Sequence, residues 1–238
     1  MMIENAENKQ FDFLGGSILV LNKPLRWTSF DVVRQVRIMI ARHHKMNNKK
    51  IKVGHAGTLD PLATGLLIIC TGSMTKRIHE FQDLDKVYTG TITLGATTPS
   101  FDLETEFDAT FPIDHISQEQ IYAAAEKFIG TIDQMPPVFS AKKVDGKKAY
   151  LKARKGKPIE LRMAEITIKK FEITAIEMPN IKFKVVCSKG TYIRSLANDF
   201  GKALHSGAHL SALCREKIGE HTLNDAISID RLKQLLPL

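Results

Sequence analysis

The chain has 238 residues, 43% of them hydrophobic and 25% charged, with a formal net charge of +8 at pH 7. That length and mix describe a globular chain of one large domain or two small ones, long enough to bury a substantial core. No stretch approaches the roughly 20 apolar residues of a membrane span, and residues 1 to 16 carry acids and amides but no apolar signal-peptide core, so the expected location is the cytoplasm.

Residues 17 to 22 read as a buried strand that Lys23-Pro24 ends, after an N-terminal tail of residues 1 to 16. A helix is predicted next, with Ser29 as its cap. Val32, Val36, Met39 and Ile40 form its apolar stripe, and Arg34, Arg37 and Arg42 lie on the exposed side. His43 to Lys52 is a polar basic connector, after which Gly54, Gly57 and Gly65 punctuate the approach to an apolar run, Leu66 to Cys70, that reads as a buried strand.

Lys86 to Gly95 alternates as a strand, with Tyr88, Gly90, Ile92 and Leu94 on one face. Ser117-Gln118-Glu119-Gln120 is a capping box that opens a helix through Ile121, Ala125 and Phe128, terminated by Gly130. Met135-Pro136-Pro137 breaks the pattern, and a polar, basic excursion of about residues 137 to 160 follows. Strands resume at 166 to 176 and 181 to 188, the latter with Ile181, Phe183, Val185 and Cys187 inward. A helix then begins near Thr191 with Arg194 in its first turn, followed by a strand at 213 to 218 and a closing helix at 229 to 236. Strands and helices mix without β-α-β alternation, which predicts an α+β (mixed α/β) fold around one sheet.

Cys70, Cys187 and Cys214 are far apart in strand-like runs and read as reduced core thiols. His205 and His209 have a spacing that could ligate metal on a helix, but Gly207 interrupts it and no acid or thiol adjoins, so no metal site is expected.

Charge is unevenly distributed. Positions 32 to 59 hold no acid but include Arg34, Arg37, Arg42, Lys45, Lys49, Lys50 and Lys52, and Lys142 to Lys157 is similarly basic. Val87 to Glu126 holds no Lys or Arg and includes Asp102, which reads there as part of a solvated acidic face. Two basic segments flank Asp60, the first negative charge a polyanion drawn to that surface meets. Asp60-Pro61 taken alone is a common turn or helix-cap pair. Its glycine-rich flanks, with His55 upstream and a core strand behind, instead suggest a carboxylate held for chemistry.

The run Gly54-His55-Ala56-Gly57-Thr58-Leu59-Asp60-Pro61-Leu62-Ala63-Thr64-Gly65-Leu66-Leu67 resembles the active-site motif of the bacterial tRNA pseudouridine-55 synthase family. Further blocks follow in family order: Leu21-Asn22-Lys23-Pro24 with Trp27-Thr28-Ser29, Lys86-Val87-Tyr88, Gly190 to Leu196, Gly207-Ala208-His209-Leu210, and Leu213 with Arg215. The resemblance covers roughly residues 17 to 230 and implies a mixed, largely antiparallel central sheet flanked by helices, with the basic excursion as an RNA-gripping thumb loop. It also implies a catalytic domain over 17 to 238 without the small C-terminal RNA-binding (PUA-type) domain that many members carry. His221 departs from the aromatic residue more usual there.

By the same resemblance the activity is isomerisation of a uridine in the tRNA T arm; with no redox change and no external group it needs no cofactor, and a monomer is expected. Uracil is detached at N1, turned and rejoined at C5, which needs an ionised carboxylate, a pocket and a cation. Asp60 is implied as the carboxylate, Arg194 as its partner, and Tyr88 as stacking on the extruded base. Tyr192 and Leu213 are implied to line the pocket, His55 is a candidate to fill the vacancy left by base flipping, and Lys76 and Asp102 are candidate supporting or RNA contacts. From their neighbours alone, Tyr88 reads as core and Arg194 as a surface helix residue. Three other readings stay open at this point: a non-catalytic tRNA-binding or folding module, a nucleoside-cleaving hydrolase, which usually needs two cooperating carboxylates, and a guide-RNA-dependent synthase.

Overall fold

A computed structural model describes residues 11–139 and 161–236, together with the backbone of residues 143–144 and 147–148. In chain order the elements are β1 (Ile18–Lys23), α1 (Ser29–His43), β2 (Val53–Ala56), β3 (Ala63–Thr71), α2 (Ile78–Gln82), β4 (Lys86–Leu94), β5 (Ala96–Thr97) and β6 (Ala109–Thr110). There follow α3 (Gln118–Glu126), β7 (Gly130–Gln134), β8 (Lys143–Val144), β9 (Lys147–Lys148), β10 (Ala164–Glu177) and β11 (Asn180–Cys187). The chain closes with α4 (Ile193–Ala203), β12 (Ala208–Ile218), β13 (His221–Thr222) and α5 (Ile229–Leu235). Elements of both kinds mix without β-α-β alternation, so the fold is mixed α/β as expected.

The chain divides into two compact units, one made of residues up to Lys86 together with Cys214 onward, the other of Val87–Leu213. In the first, strand order is β1-β3-β12, with β2 also on β3 and β13 on β12; the β1–β3, β2–β3 and β12–β13 registers are antiparallel. Strand β3 is a near-continuous apolar run because both its faces are covered. Leu67 and Ile69 join the stripe of α1 (Val32, Val36, Met39, Ile40) and Leu232 of α5, while Leu66, Ile68 and Cys70 pack with Ala56, Ile218, Ile78 and Phe81. Phe13 is buried in the same core, so the expected N-terminal tail is folded from residue 11 onward as far as the described residues reach.

Two expectations for α1 are corrected. Its cap is Thr28 rather than Ser29, because Asp31 closes a reciprocal capping box with Thr28. Arg37 is half-buried, its guanidinium donating to the Val53 carbonyl at 3.2 Å, since β2 supplies an acceptor that the sequence did not reveal.

In the second unit the order is β12-β4-β11-β10-β7, with antiparallel β10–β11 and β7–β10 registers. Ile181, Phe183, Val185 and Cys187 of β11 all face inward, as alternation predicts. Phe171, Phe183, Phe200 and Phe128 form an edge-to-face aromatic cluster, with Phe171 and Phe183 centroids 5.9 Å apart and Phe171 and Phe200 centroids 5.6 Å apart. Gly90 lets β4 lie close to β12, since a Cβ there would stand 2.4 Å from the Ala212 carbonyl oxygen. The capping box Ser117/Gln120 opens α3, which ends at Glu126, and Gly130 with φ +116 starts β7 rather than merely terminating the helix.

Most of the basic excursion of residues 137 to 160 lies outside the described residues. Within it, the backbones of β8 and β9 pair antiparallel.

Candidate active site

Asp60 sits half-buried between β2 and β3 on a loop whose main chain is anchored at alternate residues. Arg215 Nη2 donates to the Gly57 carbonyl at 3.0 Å. The Leu59 N–H donates to Ser29 Oγ at 2.8 Å, and that hydroxyl donates back to the Leu59 carbonyl at 3.1 Å. The Pro61 carbonyl accepts from the Arg26 N–H at 2.8 Å and from Lys23 Nζ at 3.4 Å, while Ala63 N–H closes a turn on the Asp60 carbonyl at 3.1 Å. A loop so held has little freedom to reorient, which is what a catalytic carboxylate requires.

Lys23 is fully buried, its ammonium donating also to the Trp27 carbonyl at 2.6 Å and the Pro24 carbonyl at 3.0 Å. Burial pushes its pKa down to about 8, against the pull of the Asp60 and Asp31 carboxylates and with the push of the Arg215 charge. The sign follows from which state binds the proton more tightly. Between pH 8 and the ordinary value of 10.5 the unfolded chain keeps the proton that the folded chain has shed, so stability rises with pH across that window. The cost is fully present below pH 8. Comparing urea unfolding of wild type and Lys23→Met, we expect wild type to gain on the variant by up to roughly 3 kcal/mol between pH 7 and pH 10.5. A pH-independent difference would contradict this.

His55 is half-buried in β2 opposite Ile69, upstream of the Asp60 loop. Lys76 is exposed in a 3-10 turn, Gly72–Arg77. Lys86 is buried and donates to the carbonyls of Phe81, Gln82 and Leu84.

In the second unit, Arg194 is 3% exposed, not a surface residue. Its Nη1 donates to the Ser100 carbonyl at 3.0 Å and its Nη2 to the Phe139 carbonyl at 2.9 Å, and Nε stands 3.7 Å from Asp102 Oδ2. Asp102 is likewise 3% exposed, so its reading as part of a solvated face is corrected. The acidic run around it turns inward at Phe101, whose φ of +63 directs the next residue into the protein. Thr98 and Ser100 hydroxyls donate to the Asp102 carbonyl at 2.6 and 3.1 Å, and the Glu104 N–H donates to Oδ1 at 3.0 Å. The structure thus brings Asp102 and Arg194 together as a buried, oriented ion pair.

Tyr192 is half-buried and immediately precedes α4. The Gln134 side chain grips its backbone from both sides, accepting from its N–H at 2.8 Å and donating to its carbonyl at 3.1 Å. Ser195 Oγ adds a 2.7 Å bond to the Met135 carbonyl. Tyr88 is 8% exposed on the inward face of β4, and Leu213 is half-buried in β12. The sequence gives Lys23, Arg215 and Gln134 no part in the site, and Ser29 only that of a helix cap. For Lys23, Arg215 and Ser29 the signal of a site role lay only in membership of motif blocks, and Gln134 had none.

Among the described residues, no group of three or more His, Cys, Asp or Glu side chains is arranged to hold a metal ion, and no helix is long and apolar enough to cross a membrane.

Relatives named tRNA pseudouridine synthase B from Phocaeicola vulgatus and Parabacteroides distasonis are each 56% identical over 225 residues, covering 94% of this chain and 95% of theirs. One of the same name from Flavobacterium johnsoniae is 53% identical over 225 residues, covering 94% of this chain and 98% of its own. Among solved structures, a chain of a Cbf5-Nop10-Gar1 complex superposes with a TM-score of 0.69 at 25% identity, over 93% of this chain. The match spans 54% of that chain, so this protein corresponds to about half of it. These relatives, with the mixed sheet flanked by helices, place the molecule in the class of pseudouridine synthases, which are isomerases. More particularly, residues 43–193 match the model described as TruB family pseudouridylate synthase (N terminal domain), and the chain belongs to that family.

Proposed function

We propose that the protein converts the uridine at position 55, in the T arm of tRNA, to pseudouridine, with Asp60 as the catalytic carboxylate. The observation that carries this reading is the immobilised loop: alternate residues from Gly57 to Pro61 are tied down while Asp60 stays half-exposed. The relatives' names, tRNA pseudouridine synthase B, support the choice of substrate. Arg194 acts as the cationic partner in the reaction, with Asp102 orienting it. Tyr88 stacks on the everted base, Tyr192 and Leu213 wall the pocket, and His55 takes the place the base leaves. Lys76, exposed and basic, contacts RNA phosphate. No redox change or external group enters, so the reaction draws on no cofactor. The working form is a cytoplasmic monomer whose basic segment near residues 137 to 160 grips the RNA.

The test is incubation with tRNA carrying [5-³H]uridine. Release of tritium, with pseudouridine mapped to the T arm and no free uracil, is the expected outcome. Free uracil would instead assign a hydrolase, and RNA binding without either product a non-catalytic module.

A further inference from the structure

We propose that Arg215 is a positioning residue for this reaction, a clamp joining the two flanks of the Asp60 loop and so fixing where the carboxylate points. The inference deepens the proposed function and rests on Asp60 being the reacting carboxylate.

Arg215 lies in β12 and is 1% exposed. Its Nε donates to the Leu66 carbonyl at 2.8 Å, in β3 after Asp60, and its Nη2 donates to the Gly57 carbonyl at 3.0 Å, before Asp60. One planar, rigid fork therefore spans both ends of the loop. Lysine, with a single ammonium on a flexible stem, lacks that fixed two-point geometry.

Two glycines of positive φ flank the loop beside it. Gly57 has φ +85, and a Cβ there would stand 3.4 Å from Arg215 Nη1. Gly65 has φ +103, and a Cβ there would stand 2.4 Å from the Arg215 carbonyl oxygen and 2.6 Å from its amide nitrogen, so β3 approaches β12 at a distance only glycine allows. A buried guanidinium satisfied by carbonyls rather than by a carboxylate is an expensive way merely to tie two strands, since apolar packing would do so at lower cost. Here it also leaves positive charge in the neighbourhood of Asp60: the ammonium of Lys23 is attracted by Asp60 and repelled by Arg215.

The experiment compares wild type, Arg215→Ala and Arg215→Lys by single-turnover isomerisation and by tRNA binding, each at matched folded fraction by circular dichroism. Arg215→Ala should isomerise about a hundredfold more slowly, because a small misdirection of a reacting group has that effect. Its tRNA affinity should stay within about threefold, since phosphate contacts dominate binding. Low-millimolar guanidinium ion should restore about tenfold of the rate to the Ala variant and nothing to wild type; Arg215→Lys should remain slow. A folded Ala variant that works at the wild-type rate, or one that loses affinity and rate together without guanidinium rescue, overturns the clamp. If Arg215→Ala does not fold, Arg215→Lys decides: a slow, tightly binding enzyme supports the clamp and a wild-type rate rejects it. An Asp60→Asn control run alongside separates the two ideas, because activity in that variant would defeat the reading of Asp60 whatever Arg215 does.

Discussion

Asp60→Asn is expected to lower the single-turnover rate of pseudouridine formation by at least about 10⁴-fold, the scale seen when the group that forms or breaks the reacting bond is removed. The substitution is nearly isosteric and the loop is held by main-chain contacts at Gly57, Leu59 and Pro61, so the fold should be unaffected. Affinity for tRNA should stay within about tenfold, because a phosphate-dominated interface gains little from one side chain. Tritium release and filter binding on the same preparation measure both quantities. Residual isomerisation near the wild-type rate would discard Asp60 as catalyst.

The second large effect is expected at the buried pair of Arg194 and Asp102. Removing the arginine charge leaves the buried Asp102 carboxylate without it, and breaking such a pair by truncating one partner costs about 3–5 kcal/mol. Arg194→Met should therefore show a markedly lower urea midpoint, on a total stability of only about 5–15 kcal/mol for a typical domain. Asp102→Asn is the more informative variant. It keeps an acceptor for the Glu104 N–H, which reaches Oδ1 at 3.0 Å, and leaves Arg194 its bonds to the Ser100 and Phe139 carbonyls. Only the ionic orientation of the guanidinium is lost, so the chain should fold and bind tRNA while isomerising about a hundredfold more slowly. Wild-type turnover by a folded Asp102→Asn enzyme would reduce the pair to a structural tie.

Much of the fold could be read from periodicity, and the failures have physical causes. Strand β11 was legible because its inward residues alternate without interruption. Strand β12 was expected only from Leu213 but runs from Ala208, because Ala208, His209, Ser211 and Ala212 carry little β preference and are ordered by their neighbours in the sheet. Strands β2 and β7 each contain or begin with glycine and polar residues, so they look like turns until a partner strand is present. The cap of α1 was misplaced by one residue because Thr28 and Ser29 are both good caps, and only the side chain of Asp31 decides between them.

The reacting residues were legible as motif, whereas the residues that hold them were not. Arg194 and Asp102 looked superficial in local sequence; Asp102 follows a turn at Phe101 with positive φ, which nothing in the neighbouring residues announces, and Arg194 lies on the buried face of its helix. Arg215 and Gln134 act by aiming long polar side chains at backbone groups far away in sequence, and Lys23 adds a reach to the Pro61 carbonyl. Such contacts obey no period and need no particular residue at the receiving end, so no pattern encodes them.

That indifference at the receiving end matters for how the loop tolerates change. Because the anchors at Gly57, Leu59 and Pro61 are main-chain atoms, changing the side chains of Thr58 or Leu62 removes none of them, and new substrate preferences can be tried there while those anchors stay in place.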